Sequence, residues 1–442
     1  MRIRIVILNL AVTLLLQSGN SFAMGLLEAY EEALHSDPLF RSAVHENEAG
    51  QQSAEIGRAG LLPNLSITHS QGINRGTISQ DGRSLPLDFN NEVTALTLRQ
   101  PLLNLEALAG YRQGVTQANS SQARFSNQSH QLILRLAEAY FTALLARDRL
   151  ALASAQRDAL AELRQVNENM LKHGEGTKTD VLETRSRYSL AQAQVIEAQN
   201  EWEAAQLALS AITGKSVTQL DSLKKIFEIQ PLQPPDFASW KEIALASNTE
   251  LVAQRYEVDS SREEVTKSRS GHAPRVDLVA SLSRNNAASF VAADRNVRLA
   301  SVGVEVSIPL YAGGRVNAIT KQASANQAKK EADLDAMTDK VLLDLRKQYQ
   351  LLQSSVLRID SLEIAVESAR LLIEATEKSI YGGIRINLDL LDAQKQLYSA
   401  QVDLAEARYN YLLAFLRLRY AAGILELDNL RKIASYFVSD SY

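Results

Sequence analysis

Between residues 390 and 425 large apolar side chains recur every seventh position: Leu390, Leu397, Leu404, Tyr411, Leu418 and Leu425. Alanines stand between them, at Ala393, Ala400, Ala407, Ala414 and Ala421. Alternating steps of three and four predict a helix with a heptad seam. The alanine line lets two helix axes approach closely, and the bulky line fills the remaining space. The first half repeats the arrangement, with Val181, Tyr188, Val195, Trp202 and Leu209 as the bulky line and Thr184, Ala191, Ala198, Ala205 and Ile212 as the small one. A partner helix is predicted upstream, through Leu342, Leu345, Tyr349, Leu352, Val356 and Ile359.

Elsewhere the period is two. "VDLVASLS" at 276–283, "SVGVEVSI" at 301–308, "NLSITHS" at 64–70 and "TALTLRQ" at 94–100 each put their apolar residues on one face. These spacings predict four strands, about 64–76, 91–103, 275–286 and 297–311, with Gly/Asn/Asp-rich loops at 72–91 and 284–296. Apolar-out, polar-in alternation is the pattern of an outer-membrane barrel.

Prolines mark the boundaries. None occurs from Leu102 to Gln230 or after Pro309, so both stretches are free to form long helices. A helix from about Leu105 to Leu171 would measure roughly 100 Å at 1.5 Å per residue. "QPLQPP" at 230–235 reads as a linker.

The two halves share one plan. "GLLPNLSIT" aligns with "GHAPRVDLV", "RQPLLN" with "SIPLYA", Tyr140 with Tyr349 and Gly214 with Gly423, at an offset that stays between about 208 and 211. This is the signature of an internal duplication, with repeats at 24–230 and 231–442. Each repeat holds a hairpin tip, about 172–179 and 381–387. There Gly174 precedes Asp180 as Gly383 precedes Asp389. The glycines suit a helix exit. Thr179 and Asn387 are candidate N-caps, and Asp180 and Asp389 lie in the first turn of the returning helix. Plain αα-hairpin chemistry leaves Arg385 and Asp392 unexplained.

The N-terminus changes the compartment. Arg2 and Arg4, an apolar run from Ile5 to Leu16, and Ser21-Phe22-Ala23 together read as a secretory signal peptide cut after residue 23. Past it no run approaches the ~20 apolar residues of a transmembrane helix. The chain has no cysteine and a formal net charge of −4, so disulfides are excluded and nothing suggests a nucleic-acid partner. An exported chain with four amphipathic strands faces a geometric problem, because closing a barrel takes about eight. Either the strands form a small soluble sheet or several chains share one barrel.

The order of helix, strand pair and long hairpin, given twice, resembles the TolC family of outer-membrane efflux proteins. So do "PLYAGG" after the fourth strand and "LDLLDAQKQLYSAQVDLAEARYNYLLAFLRLRYAAG" at 388–423. The resemblance implies an α+β membrane protein. Three chains share a twelve-stranded antiparallel β-barrel that continues into a long α-helical coiled-coil barrel across the periplasm. It also implies a periplasmic gate, with Thr179 and Asp180 on the first tip, Arg385 on the second, and Asp389 and Asp392 as inward-facing carboxylate rings. Implied partners are the other copies of a homotrimer, a periplasmic adaptor, an inner-membrane transporter of ABC type, and outer-membrane lipid. The family's aromatic three residues before the tip glycine is replaced here by Ile380 and Leu171, with Tyr381 one position away.

Other functions fit less well. Six scattered histidines form no zinc motif, "GEG" at 174–176 follows no strand, and no cofactor or catalytic residue is expected. A periplasmic coiled-coil adaptor would carry one hairpin with β-rich flanks rather than two with amphipathic strand pairs. Within the family, the missing lipid-bearing cysteine and the early helix "GLLEAYEEALHSDP" favour type I protein secretion over a multidrug efflux duct.

Overall fold

The computed structural model describes residues 23–224, 226–289, 292–381 and 385–438. Residues 1–22 of the expected signal peptide, Gly383 and residues 290–291 between β4 and β5 lie outside them. In chain order the elements are α1 (Leu26–Ser36), α2 (Pro38–Ala59), β1 (Asn64–Gln80), β2 (Arg83–Leu103), α3 (Leu105–Lys172), α4 (Lys178–Thr213) and β3 (Ser222–Leu223). There follow α5 (Phe237–Ser247), α6 (Thr249–Arg269), β4 (Arg275–Ser289), β5 (Ala292–Ser307), α7 (Arg315–Tyr381), α8 (Asn387–Ala421), α9 (Leu427–Ala434) and β6 (Phe437–Val438). Among the described residues no helix is long and apolar enough to cross a membrane.

The chain forms two compact units that cut across the sequence halves. Unit one holds residues up to 44, 126–248 and 339–442; unit two holds 45–125 and 249–338.

In unit two the four long strands form one antiparallel sheet in the order β1-β2-β4-β5. Register places Leu65 opposite Leu98, Leu96 opposite Leu282, and Ala280 opposite Val302, so the apolar residues of all four strands share a face. That face is open: Val302 is 76% exposed, and Ile67, Leu282, Val304 and Val306 are exposed as well. Across the sheet, Arg99 donates to Asp277 at 2.8 Å and to Glu305 at 2.9 Å, and Arg275 approaches Asp277 at 2.9 Å. The β1–β2 ladder runs through the segment expected as a loop, up to Gln80 opposite Arg83. Ladder bonds need only backbone groups, so polar residues extend a strand where neither face is buried. Asp81 and Gly82 close it with φ of 50° and 80°, the left-handed pair of a two-residue hairpin. β4 and β5 likewise continue into the expected loop at 284–296, and β5 stops at Ser307, short of residue 311.

Unit one is helical, with its core between residues 132 and 146 of α3 and residues 407 and 425 around the end of α8. Trp240, Tyr140, Leu136, Leu345, Leu412 and Leu418 are fully buried there. The linker is pinned to this core: Trp240 Nε1 donates to Pro234 O at 2.8 Å, Tyr349 OH to Pro235 O at 2.6 Å and Tyr411 OH to Gln230 O at 3.3 Å. Gly423, at φ 76°, could not carry a side chain, because a Cβ would lie 2.3 Å from Ser247 O.

Candidate functional site

The hairpin tips belong to unit one. At the first, α3 ends at Lys172 and the chain turns through Gly174, whose φ of 78° is the left-handed conformation of a helix exit. Glu175 N and Gly176 N return to Met170 O at 2.9 and 3.2 Å. The N-cap of α4 is Thr177, not Thr179. Thr177 Oγ1 accepts Asp180 N–H at 3.1 Å, and Asp180 Oδ2 accepts Thr177 N–H at 3.3 Å. This reciprocal box fixes the turn, and it leaves Thr179 exposed inside the helix. At the second tip the N-cap is Ile386, so Asn387 is the first residue of α8 rather than its cap. Isoleucine offers no side-chain acceptor, and only half the box exists: Asp389 Oδ2 accepts Ile386 N–H at 3.3 Å.

The five expected gate residues are not all brought together. Asp180 and Asp389 each close their own turn. Arg385 makes a backbone bond to Ser379 O at 3.4 Å, and its exposed guanidinium has no partner among the described residues. Asp392 instead accepts Arg187 Nη2 at 2.8 Å, which joins α8 to α4. Beneath this pair lies Thr184, fully buried. Its hydroxyl donates to Asp180 O at 2.8 Å and accepts Asn167 Nδ2 at 2.8 Å and Asn387 Nδ2 at 3.3 Å. Asn167, Thr184, Arg187 and Asn387 were not marked by sequence reasoning as site residues. Thr184 was visible only as the polar member of a line otherwise made of three alanines and Ile212.

The seam leads away from the tips. Ala191, Ala198, Ala205, Ala393, Ala407 and Ala414 are buried, whereas Ala400 is half-buried. Among the bulky positions Leu209, Leu390, Tyr411, Leu418 and Leu425 are buried, but Tyr188, Trp202, Leu397 and Leu404 are only half-buried. The alanine line is therefore the contact line, and the bulky line flanks it at Tyr188, Trp202, Leu397 and Leu404. On α7, the exposed Glu374 and Lys378 pair at 2.6 Å, and that hydrogen bond holds the Glu374 carboxyl below its usual range and raises the Lys378 ammonium.

Comparison with known proteins adds the decisive fact. The profile described as "Outer membrane efflux protein" matches residues 29–215 and again 240–424. The chain belongs to that family. It is 41% identical over 437 residues to the alkaline protease secretion protein AprF of Pseudomonas aeruginosa, covering 96% of this chain and 90% of the relative. It is 38% identical to the proteases secretion protein PrtF of Dickeya chrysanthemi, covering 97% of this chain and 95% of the relative. The fold matches the CmeC outer membrane channel of Campylobacter jejuni, with a TM-score of 0.79 at 15% identity over 93% of this chain and 90% of that one. The chain is accordingly a transport protein of the Gram-negative outer membrane.

Proposed function

We propose that the chain is the outer-membrane exit duct of a tripartite export system working in type I protein secretion. One observation carries the reading: a four-stranded sheet with an exposed apolar face, a polar reverse face, and outer strands β1 and β5 that pair on one side only among the described residues. Open edges beside an apolar face demand completion. Three copies joined edge to edge supply twelve strands, enough for a barrel. A second support for the homotrimer is the stripe Leu343, Leu357, Ile364 and Leu371 on α7. Its members are spaced in multiples of seven and are 56–74% exposed, a seam without a partner helix in this chain among the described residues.

The element order and the twofold family match support duplicated repeats at 24–230 and 231–442, and Arg2, Arg4 and the apolar run from Ile5 to Leu16 support a signal peptide at 1–23. The names of the two protease-secretion relatives support protein cargo, and with it an adaptor and an ABC-type inner-membrane transporter as partners. The tips serve as the periplasmic gate, with Asp180 and Asp389 holding the turns and Arg385 free to reach a neighbouring copy. Two measurements test this. Sedimentation in detergent should give three chains per particle, and a folded detergent-free monomer would refute it. Cells lacking their own channel should release an ABC exporter's protein cargo when supplied with this chain. Restored drug resistance without released protein would instead favour multidrug efflux.

A further inference from the structure

We infer that Arg187 is the positioning residue of a second latch in this gate, one that closes within a single copy and withdraws Asp392 from the carboxylate ring. The inference rests on reading the tips as the gate. Arg187 and Thr184 are one helical turn apart on α4, so they project on the same side. Together with Asn167 of α3 and Asn387 and Asp392 of α8 they form a polar strip joining three helices. Its inner end is dry, because Thr184 is fully buried and Asn167 nearly so. Its outer end is charged, with Arg187 and Asp392 side chains 32% and 60% exposed.

Among the described residues Arg385, the cation expected to tie the hairpins, meets no side-chain partner within the copy. Arg187 fills that role. A single half-exposed ion pair is a weak brace. In a trimer, however, three identical pairs part together when the mouth widens, and the closed state gains from all three. The buried Asn167 amide also resists being left without its acceptor. The pair has an electrostatic consequence as well. A guanidinium 2.8 Å from Asp392 neutralises it, so the closed mouth presents the Asp389 carboxylates alone, three charges rather than six.

The test uses the full-length trimer in planar bilayers. Arg187→Gln should raise conductance severalfold and also strengthen cation selectivity and block by a trivalent cation from the periplasmic side, because Asp392 is released. Asp392→Asn should raise conductance without strengthening block. Exchanging the charges, Arg187→Asp with Asp392→Arg, should return conductance to that of the parent. Higher conductance in Arg187→Gln with unchanged selectivity and block would mean generic loosening and overturns the proposal. Unchanged conductance in Arg187→Gln, while Arg385→Ser raises it, removes this latch and keeps the gate. No response from either variant removes the gate reading too. A trap that tolerates misfolding concerns is available because the chain has no cysteine. Arg187→Cys with Asp392→Cys, joined in assembled trimers by a short reducible cross-linker, should hold conductance low until reductant is added. Absence of the cross-link in assembled trimers overturns the pairing itself.

Discussion

The two ends of the hairpins in unit one are built from the same seam but filled differently. At the base, Phe141 stacks on Tyr409 and Phe437 with ring centroids 6.2 and 5.9 Å apart, Tyr140 meets Phe141 and Phe437 edge-on at 6.3 and 6.0 Å, and Tyr409 OH donates to Asp148 Oδ2 at 2.7 Å. Burial raises the Tyr140 and Tyr409 hydroxyl pKa values, and pushes that of Tyr436 up to about 12. At the tips the apolar core shrinks to Leu160, Ala191 and Leu391, with Leu163 and Tyr188 at its margin and Arg164 4.4 Å over the Tyr188 ring. What replaces the aromatics is the polar strip around Thr184. A heptad seam thus serves as a permanent joint where large rings flank it. It serves as an openable one where hydrogen bonds that water can replace flank it.

The largest loss of stability is expected at the base. Tyr140→Ala removes a fully buried ring and the bond from Tyr140 OH to Met24 O at 2.9 Å. Destabilisation of about 3–5 kcal/mol is expected from the cavity alone. Tyr188→Ala, half-buried at the tip, should cost well under half of that. Denaturant melts of both variants check the contrast, and equal losses would erase the distinction between the two ends.

The seam itself can be graded next. Ala407→Leu inserts bulk where only 2% of the alanine is exposed and should cost about 1–3 kcal/mol by overpacking. Ala400→Leu should cost less, since Ala400 is only half-buried. Thermal unfolding of the two variants side by side decides it.

Much of this contrast was legible in the sequence, and the omissions have physical causes. Heptad and period-two spacings located the helices and the strands because burial selects residue type at fixed intervals. The β1–β2 turn was signalled by "DG" at 81–82, but the polar residues around it carry no burial pattern, so the segment read as a loop. The first N-cap was misplaced by two residues, although Thr177 and Asp180 stand at capping-box spacing. Arg187 was not legible at all. Its partner is 205 residues away, and only the register between α4 and α8 decides which charge it meets.

Capping tests the tip locally. Thr177→Ala removes one side of the box and should cost about 1 kcal/mol. The loss should be confined to faster amide exchange in the first turn of α4. Uniformly faster exchange through the base would contradict the local independence of the tips.

The smallest expected effect returns to the base. His130, on α3, is half-buried, and its buried Nδ1 has no hydrogen-bond partner among the described residues. Desolvation lowers its pKa below the ordinary histidine value, with the Glu426 carboxylate acting weakly the other way. The folded state therefore favours neutral imidazole, while the unfolded chain takes up a proton near pH ~6.5. Between those two values the unfolded state binds more protons, so stability falls as pH drops. The contribution is complete above the unfolded value and lost as pH falls through the folded one. Melting temperature measured from about pH 7.5 down to about 5 should show this slope in the parent. His130→Gln should flatten it, leaving only the carboxylates to act at lower pH. A slope that survives the substitution assigns the sensitivity to another group and frees His130 from any part in the rigidity of the base.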